Sequence, residues 1–231
     1  MKRLASLLVS MTAAAAAAAQ HIPEECLRAC DSLGEGCRQA LVVLAGEGCD
    51  CDIFFMRRDG QWRCMSQVRG ATGRSGVIDA RLKREGDGAT PAGVYPLRRG
   101  LWREADVGTL FPMEIYDERY LWVDDPESEM YNTLLRDAGD QWSGRGERLS
   151  QVGEPYRYIV VVEYNTDPVA GGAGSAIFVH AWRDEGRPTA GCVAMPADDM
   201  RRLVEWLDPS LRPHIVITRY DDNVKTYNHV Q

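Results

Sequence analysis

The chain has 231 residues, 45% of them hydrophobic and 26% charged, a balance that excludes a disordered, collagen-like or all-membrane protein. Its 34 acidic residues outnumber 27 basic ones, which disfavours a broad surface for nucleic acid or for an anionic membrane. There is chain enough for one large domain or two small ones.

The opening MKRLASLLVSMTAAAAAAAQ places Lys2 and Arg3 before an apolar run from Leu4 to Met11, then an alanine run with A-x-A cleavage points near Ala19. This predicts a signal peptide over residues 1–19 and an exported, periplasmic or envelope-associated product. An uncleaved membrane anchor is the rival, because the alanines lengthen the apolar stretch toward a spanning helix. No second such run follows, so no stable membrane span is expected after cleavage.

Residues 20–40 read as a small cysteine-rich cap, with PEECLRACDSLGEGCRQ suggesting a short helix broken at Gly34 and Gly36. Six of the seven cysteines, Cys26, Cys30, Cys37, Cys49, Cys51 and Cys64, cluster early. In an oxidising compartment that predicts up to three disulfides, their pairing left open. A zinc site is the competing reading, but C-x3-C and C-x-C lack the usual paired spacing and have no histidine nearby. Cys192 stands apart from all of them.

Strand-like runs follow at residues 41–45, 52–58 and 61–68, the last two joined at Asp59-Gly60, a tight-hairpin signal. They predict the start of an antiparallel meander. REGDGATPAGVYPL (84–97) is rich in turn formers and leads into a loop-rich middle containing YLWVDDPESEMYN. Later, 156–165 and 174–182 read as buried strands, 197–209 as a helix and 214–220 as a closing strand. In the helix Met200, Leu203, Val204 and Leu207 share one face, and Pro209 stops it. The fold class is mainly β with a few helices: one domain over 41–220 behind the cap, with a tail at 221–231.

Chemistry concentrates in FVHAWRDEGRPTAGCVAM. A histidine ending an apolar strand and a cysteine after a Thr-Ala-Gly turn can meet across the loop between them. A thiol is mostly protonated at neutral pH, and an imidazole can take its proton to supply the thiolate nucleophile. Gly191 allows the turn and brings backbone amides toward a carbonyl as an oxyanion hole. Taken alone, a histidine and a cysteine at this spacing are also compatible with ordinary core packing.

The block GAGSAIFVHAWRDEGRPTAGCVAM resembles the active-site segment of the L,D-transpeptidase catalytic domain family, also called YkuD-like, in the branch whose cysteine motif reads TAGC. REGDGATPAGVYPL, VDDPESEMYN and EYNTDP are similar to further family elements, so the resemblance spans residues 41 to 220. It implies a β-sandwich-like fold and a cysteine acyltransferase acting on peptidoglycan stem peptides. His180 would be the general base and Cys192 the nucleophile, with the Gly191 and Cys192 amides holding the oxyanion. Attack at the diaminopimelate carbonyl would expel D-Ala, and the acyl group would pass to an amine or to water.

The commoner family pattern has a histidine and an arginine where this chain has Ala190 and Ala194. Arg183 and Arg187 are the nearest cations to replace that arginine at a substrate carboxylate. Thr189, Trp182 and Asn165 are further candidates to line the cleft. Asp87 and Thr90 read as turn-forming, Asp124 and Asp125 as a solvated acidic pair, and neither His214 nor His229 has an argument for catalysis. With no phosphate loop, H-E-x-x-H motif or dinucleotide fingerprint, no cofactor or metal is expected, and the protein is expected to be a monomer. The alternatives are a hydrolase on the same fold, a wall-binding module without turnover, and an unrelated cysteine amidase.

Overall fold

The computed structural model describes residues 22–139 and 142–220; the expected signal peptide and the tail lie outside them. The chain runs from α1 (Glu24–Asp31) into β1 (Gln39–Ala45), β2 (Asp50–Asp59), β3 (Gln61–Ala71) and β4 (Val77–Asp79). Then come β5 (Thr90–Trp102), β6 (Met113–Ile115), β7 (Leu121–Trp122), β8 (Leu134–Leu135) and β9 (Glu147–Arg148). The last third holds α2 (Leu149–Val152), β10 (Tyr158–Val162), β11 (Phe178–Ala181), β12 (Val193–Met195), α3 (Ala197–Trp206) and β13 (His214–Arg219).

Strands β10, β11, β12, β3, β2, β1, β13 and β5 are hydrogen-bonded in that order, and β5 pairs back onto β10. The mainly β, sandwich-like fold read from the sequence is therefore present, its layers continuous around the edge. Closure removes the free strand edges that would otherwise invite pairing with another chain. Between β3 and β12 the ring narrows to a single residue pair, Ala71 with Ala194.

Side-chain alternation sorts β1 into two faces. Leu41, Val43 and Ala45 enter the central core with Ile53, Phe55, Val160 and Ile215. The other face, Ala40, Val42 and Leu44, is buried with Phe54 and Met56 under α1. That double burial is why LVVLA is an unbroken apolar run. The hairpin forms where Asp59-Gly60 places it, with Gly60 at φ 73°. Met200, Leu203, Val204 and Leu207 of the α3 segment all pack into the core.

Two expectations are corrected. All seven cysteines are free thiols, so no disulfide pins the cap. Instead Cys26, Ala29, Cys30 and Leu33 pack as apolar groups against β1, β2 and Val216 of β13. Each large side chain buried this way contributes about 1.5–3 kcal/mol, which holds a two-turn helix without crosslinks. Of the segment expected to be turn-rich, 84–97, the first six residues are turn and loop as read, but from Thr90 it is a 13-residue strand, with Pro91 and Pro96 both inside it. Proline costs a strand only its N–H donor, and β5 otherwise keeps buried residues along most of its length.

The segment between β5 and β10 positions the site. It wraps the outer face of β10 and β11, burying Trp122, Tyr116, Leu149 and Tyr156 against Ile159, Val161, Phe178 and Cys192. Strands β8, β7 and β9 form a separate small sheet over this face.

Candidate active site

His180 and Cys192 line one pocket of about 520 Å³ on the covered face of β11 and β12. These strands run parallel, with His180 opposite Ala194, two residues beyond the cysteine. Gly191, Arg183, Arg187, Thr189 and Trp182 line the same pocket. The structure thus brings these residues together around one pocket.

His180 Nδ1 lies 2.7 Å from the Ala181 carbonyl. A carbonyl only accepts, so this contact assigns the neutral ring's proton to Nδ1 and leaves the lone pair on Nε2. Burial pushes the imidazole down to about 4. The Cys192 thiol donates to the Ala176 carbonyl at 3.2 Å, and burial followed by the Glu147 charge pushes it up to about 12. Both shifts have the same cause, since a dry pocket disfavours whichever form is charged. The resting pair is a neutral thiol and a neutral imidazole, rather than the thiolate expected from the sequence.

The cysteine turn is held by Thr189. Its hydroxyl donates to the Cys192 carbonyl at 2.7 Å and accepts from the Gly191 N–H at 3.1 Å. Its backbone is also tied down, to Thr72 and Arg74. The hydroxyl expected to meet substrate is therefore committed to the turn, and so is the Gly191 amide expected at the oxyanion. Gly191 itself is required: at φ +152° a Cβ would stand 3.0 Å from the Ala89 carbonyl.

Asn165 is placed elsewhere. It sits at φ 52°, lines a separate cavity of about 530 Å³, and ties its own loop together through Ala170 and Gly174. Asp87 and Thr90 shape the backbone as expected. Asp87 accepts from the Arg84 and Ala89 amides, and Thr90 accepts from Gly73. His214 is outside the pocket, and His229 lies outside the described residues.

The lining residues that the sequence reading did not name as site residues include Arg74, Lys83, Glu147, Tyr156 and Asp124, the last expected in a solvated loop. Lys83 is buried, paired to Asp87 at 2.7 Å, and its charge lowers the Cys192 thiol against the larger effect of burial. Glu147 reaches the pocket because β9 pairs with β7, opposite Trp122. Tyr156 ends the one-turn helix Glu154–Tyr156, where its hydroxyl donates to Glu147 Oε2 at 3.0 Å. Its ring meets His180 edge-on at 5.1 Å. Asp124 falls in VDDPESEMYN and Lys83 just before REGDGATP, both blocks that resemble family elements, whereas nothing local marks Glu147 or Tyr156.

Among the described residues, no group of three or more His, Cys, Asp or Glu is arranged to hold a metal ion. Nor is any helix there long and apolar enough to cross a membrane. The family model of the L,D-transpeptidase catalytic domain matches residues 54–217, more than half of the chain. The chain belongs to that family. The matched span of this L,D-transpeptidase-family protein includes His180, Cys192 and the whole β5–β12 face, and excludes α1 and β1. No curated protein and no solved structure matches it.

Proposed function

We propose that the protein is an exported cysteine acyltransferase acting on peptidoglycan stem peptides. The observation that carries this reading is the placement of the Cys192 thiol and the His180 imidazole in one pocket of an L,D-transpeptidase domain. His180 Nε2 takes the thiol proton as Cys192 Sγ attacks the carbonyl at the L-centre of diaminopimelate. The thiol need not be ionised beforehand, because proton transfer accompanies attack. Collapse of the tetrahedral adduct expels D-Ala, whose amine leaves with the proton held by His180. An amine of a second stem peptide then attacks the thioester, and Cys192 recovers its proton.

Arg183 and Arg187 stand at the pocket wall as partners for a substrate carboxylate, in place of the arginine replaced by Ala194. Among the described residues Arg183 donates only to the Val152 carbonyl at 3.3 Å, whereas Arg187 is already paired with Asp184, so Arg183 is the residue assigned this role. Trp182 supplies an apolar surface beside it. Thr189 and Gly191 hold the turn that presents the thiol.

Incubation with a disaccharide-tetrapeptide, followed by mass spectrometry, tests the reading. D-Ala loss with a cross-linked dimer supports transfer to an amine. D-Ala loss with the shortened monomer alone replaces transfer by hydrolysis, and an unchanged substrate overturns both.

A further inference from the structure

Cys192 does not face His180 alone. Behind it Tyr156 packs in the same buried cluster and lines the same pocket, and its hydroxyl donates to Glu147 Oε2 at 3.0 Å. A phenol carries one proton to donate, so it can serve the carboxylate or the sulfur, but not both. Tyr156 cannot turn away, because its ring is wedged between Phe178 at 6.0 Å and His180 at 5.1 Å, and its backbone carbonyl accepts from Tyr116 at 2.7 Å.

We propose that Tyr156 and Glu147 form a switch on the nucleophile, in which Tyr156 gives its hydrogen bond to the Cys192 sulfur when Glu147 is protonated and withholds it when Glu147 is ionised. The proposal rests on Cys192 being the nucleophile. In this switch Tyr156 acts on the reacting sulfur itself, and Glu147 acts through it as a positioning residue. With Glu147 neutral, its carboxyl proton bonds the Tyr156 oxygen, and the tyrosine hydrogen points to the sulfur and stabilises developing negative charge. With Glu147 ionised, the tyrosine hydrogen turns to the carboxylate, whose charge also opposes a thiolate.

Other charged and titratable groups face this chain, with Arg183 acting on His180 and Glu85 on Asp124. Lys83 acts on the sulfur, and Asp124 on Glu147; His180 and Tyr116 adjoin Tyr156. Burial and the neighbouring Asp124 charge both hold Glu147 above the usual carboxylate range. The switch therefore operates at milder pH than an exposed glutamate would allow.

The test is the iodoacetamide alkylation rate of Cys192, followed on its own peptide by mass spectrometry, for the parent, Glu147→Gln, Tyr156→Phe and the double variant. At a pH where Glu147 is ionised, Glu147→Gln should alkylate roughly tenfold faster and Tyr156→Phe at about the parent's rate, whereas where Glu147 is protonated Tyr156→Phe should be roughly tenfold slower than the parent, the size of one hydrogen bond to a charged group. The gain from Glu147→Gln should shrink in the Tyr156→Phe background, because the hydroxyl that carries it is gone. At a pH where Glu147 is protonated, parent and Glu147→Gln should converge.

A purely structural role predicts equal effects at every pH. Equal effects, a slower Glu147→Gln or an undiminished gain in the double variant each overturn the proposal. The readout needs no peptide substrate, so it stands or falls separately from the assignment of stem peptides.

Discussion

Raising the pH in the presence of iodoacetamide, with the Cys192 peptide followed by mass spectrometry, reads the resting state of the nucleophile. Burial pushes its thiol from the ordinary 9.0 up to about 12. Below both values each unit of pKa costs a factor of ten in thiolate, so at neutral pH the ionised fraction is about 1,000-fold lower than for an ordinary thiol. Only thiolate alkylates, and His180, held down to about 4, is neutral above about pH 5 and supplies no imidazolium to stabilise one. The rate should therefore climb about tenfold per pH unit from about pH 6, with no plateau below about pH 11. The slope, unlike the absolute rate, is independent of access to the pocket. A plateau with a midpoint at or below about 9, or fast pH-independent alkylation near neutrality, would refute the neutral pair and restore a preformed thiolate–imidazolium.

His180 also ties stability to pH. It binds a proton at 6.5 when unfolded and only near 4 when folded, so its contribution is present above the unfolded value and lost as pH falls toward 4. At about pH 4.5 its share of the loss is about 2.5 kcal/mol, and urea titrations at neutral and acid pH should show a correspondingly smaller drop for His180→Gln than for the parent. Equal drops would show that the imidazole is not desolvated. Asp87→Asn leaves Lys83, 3% exposed, without its carboxylate and should cost about 2–4 kcal/mol in chemical denaturation; a change under about 0.5 kcal/mol contradicts a buried pair. Thr189→Val removes both hydrogen bonds that set the cysteine turn. It should lower kcat/KM by about tenfold while costing about 1 kcal/mol of stability, and unchanged turnover would show that the turn holds without them.

How much of this was legible depended on how local the signal was. The β2–β3 hairpin follows from Asp59-Gly60 and α3 from the spacing of its apolar residues, and both form where read. β5 was obscured by its prolines and by Gly93, and β13, the strand it pairs with at Gly93 and Pro96, lies far away in sequence. His180 and Cys192 were legible because one loop joins them. Glu147 was not, since it reaches the pocket through the pairing of β9 with β7, which no short-range pattern announces, and nor was Tyr156, which ends a one-turn helix outside that loop. Asn165 shows the converse: proximity to a strand end suggested the cleft, but its positive φ turns it into its own loop. The early cysteines were read by compartment chemistry, whereas the structure packs Cys26 and Cys30 of α1, and Cys37 after it, as small apolar groups against β1 and β2.

The central claim is that Cys192 carries the acyl group, and intact-protein mass spectrometry during turnover of a disaccharide-tetrapeptide tests it most directly. A Cys192 acyl-enzyme gives an adduct equal to the donor less D-Ala, mapped to the Cys192 peptide in the parent and missing from a folded Cys192→Ala variant. An adduct on another residue, or D-Ala release by Cys192→Ala at the parent's rate, would contradict it.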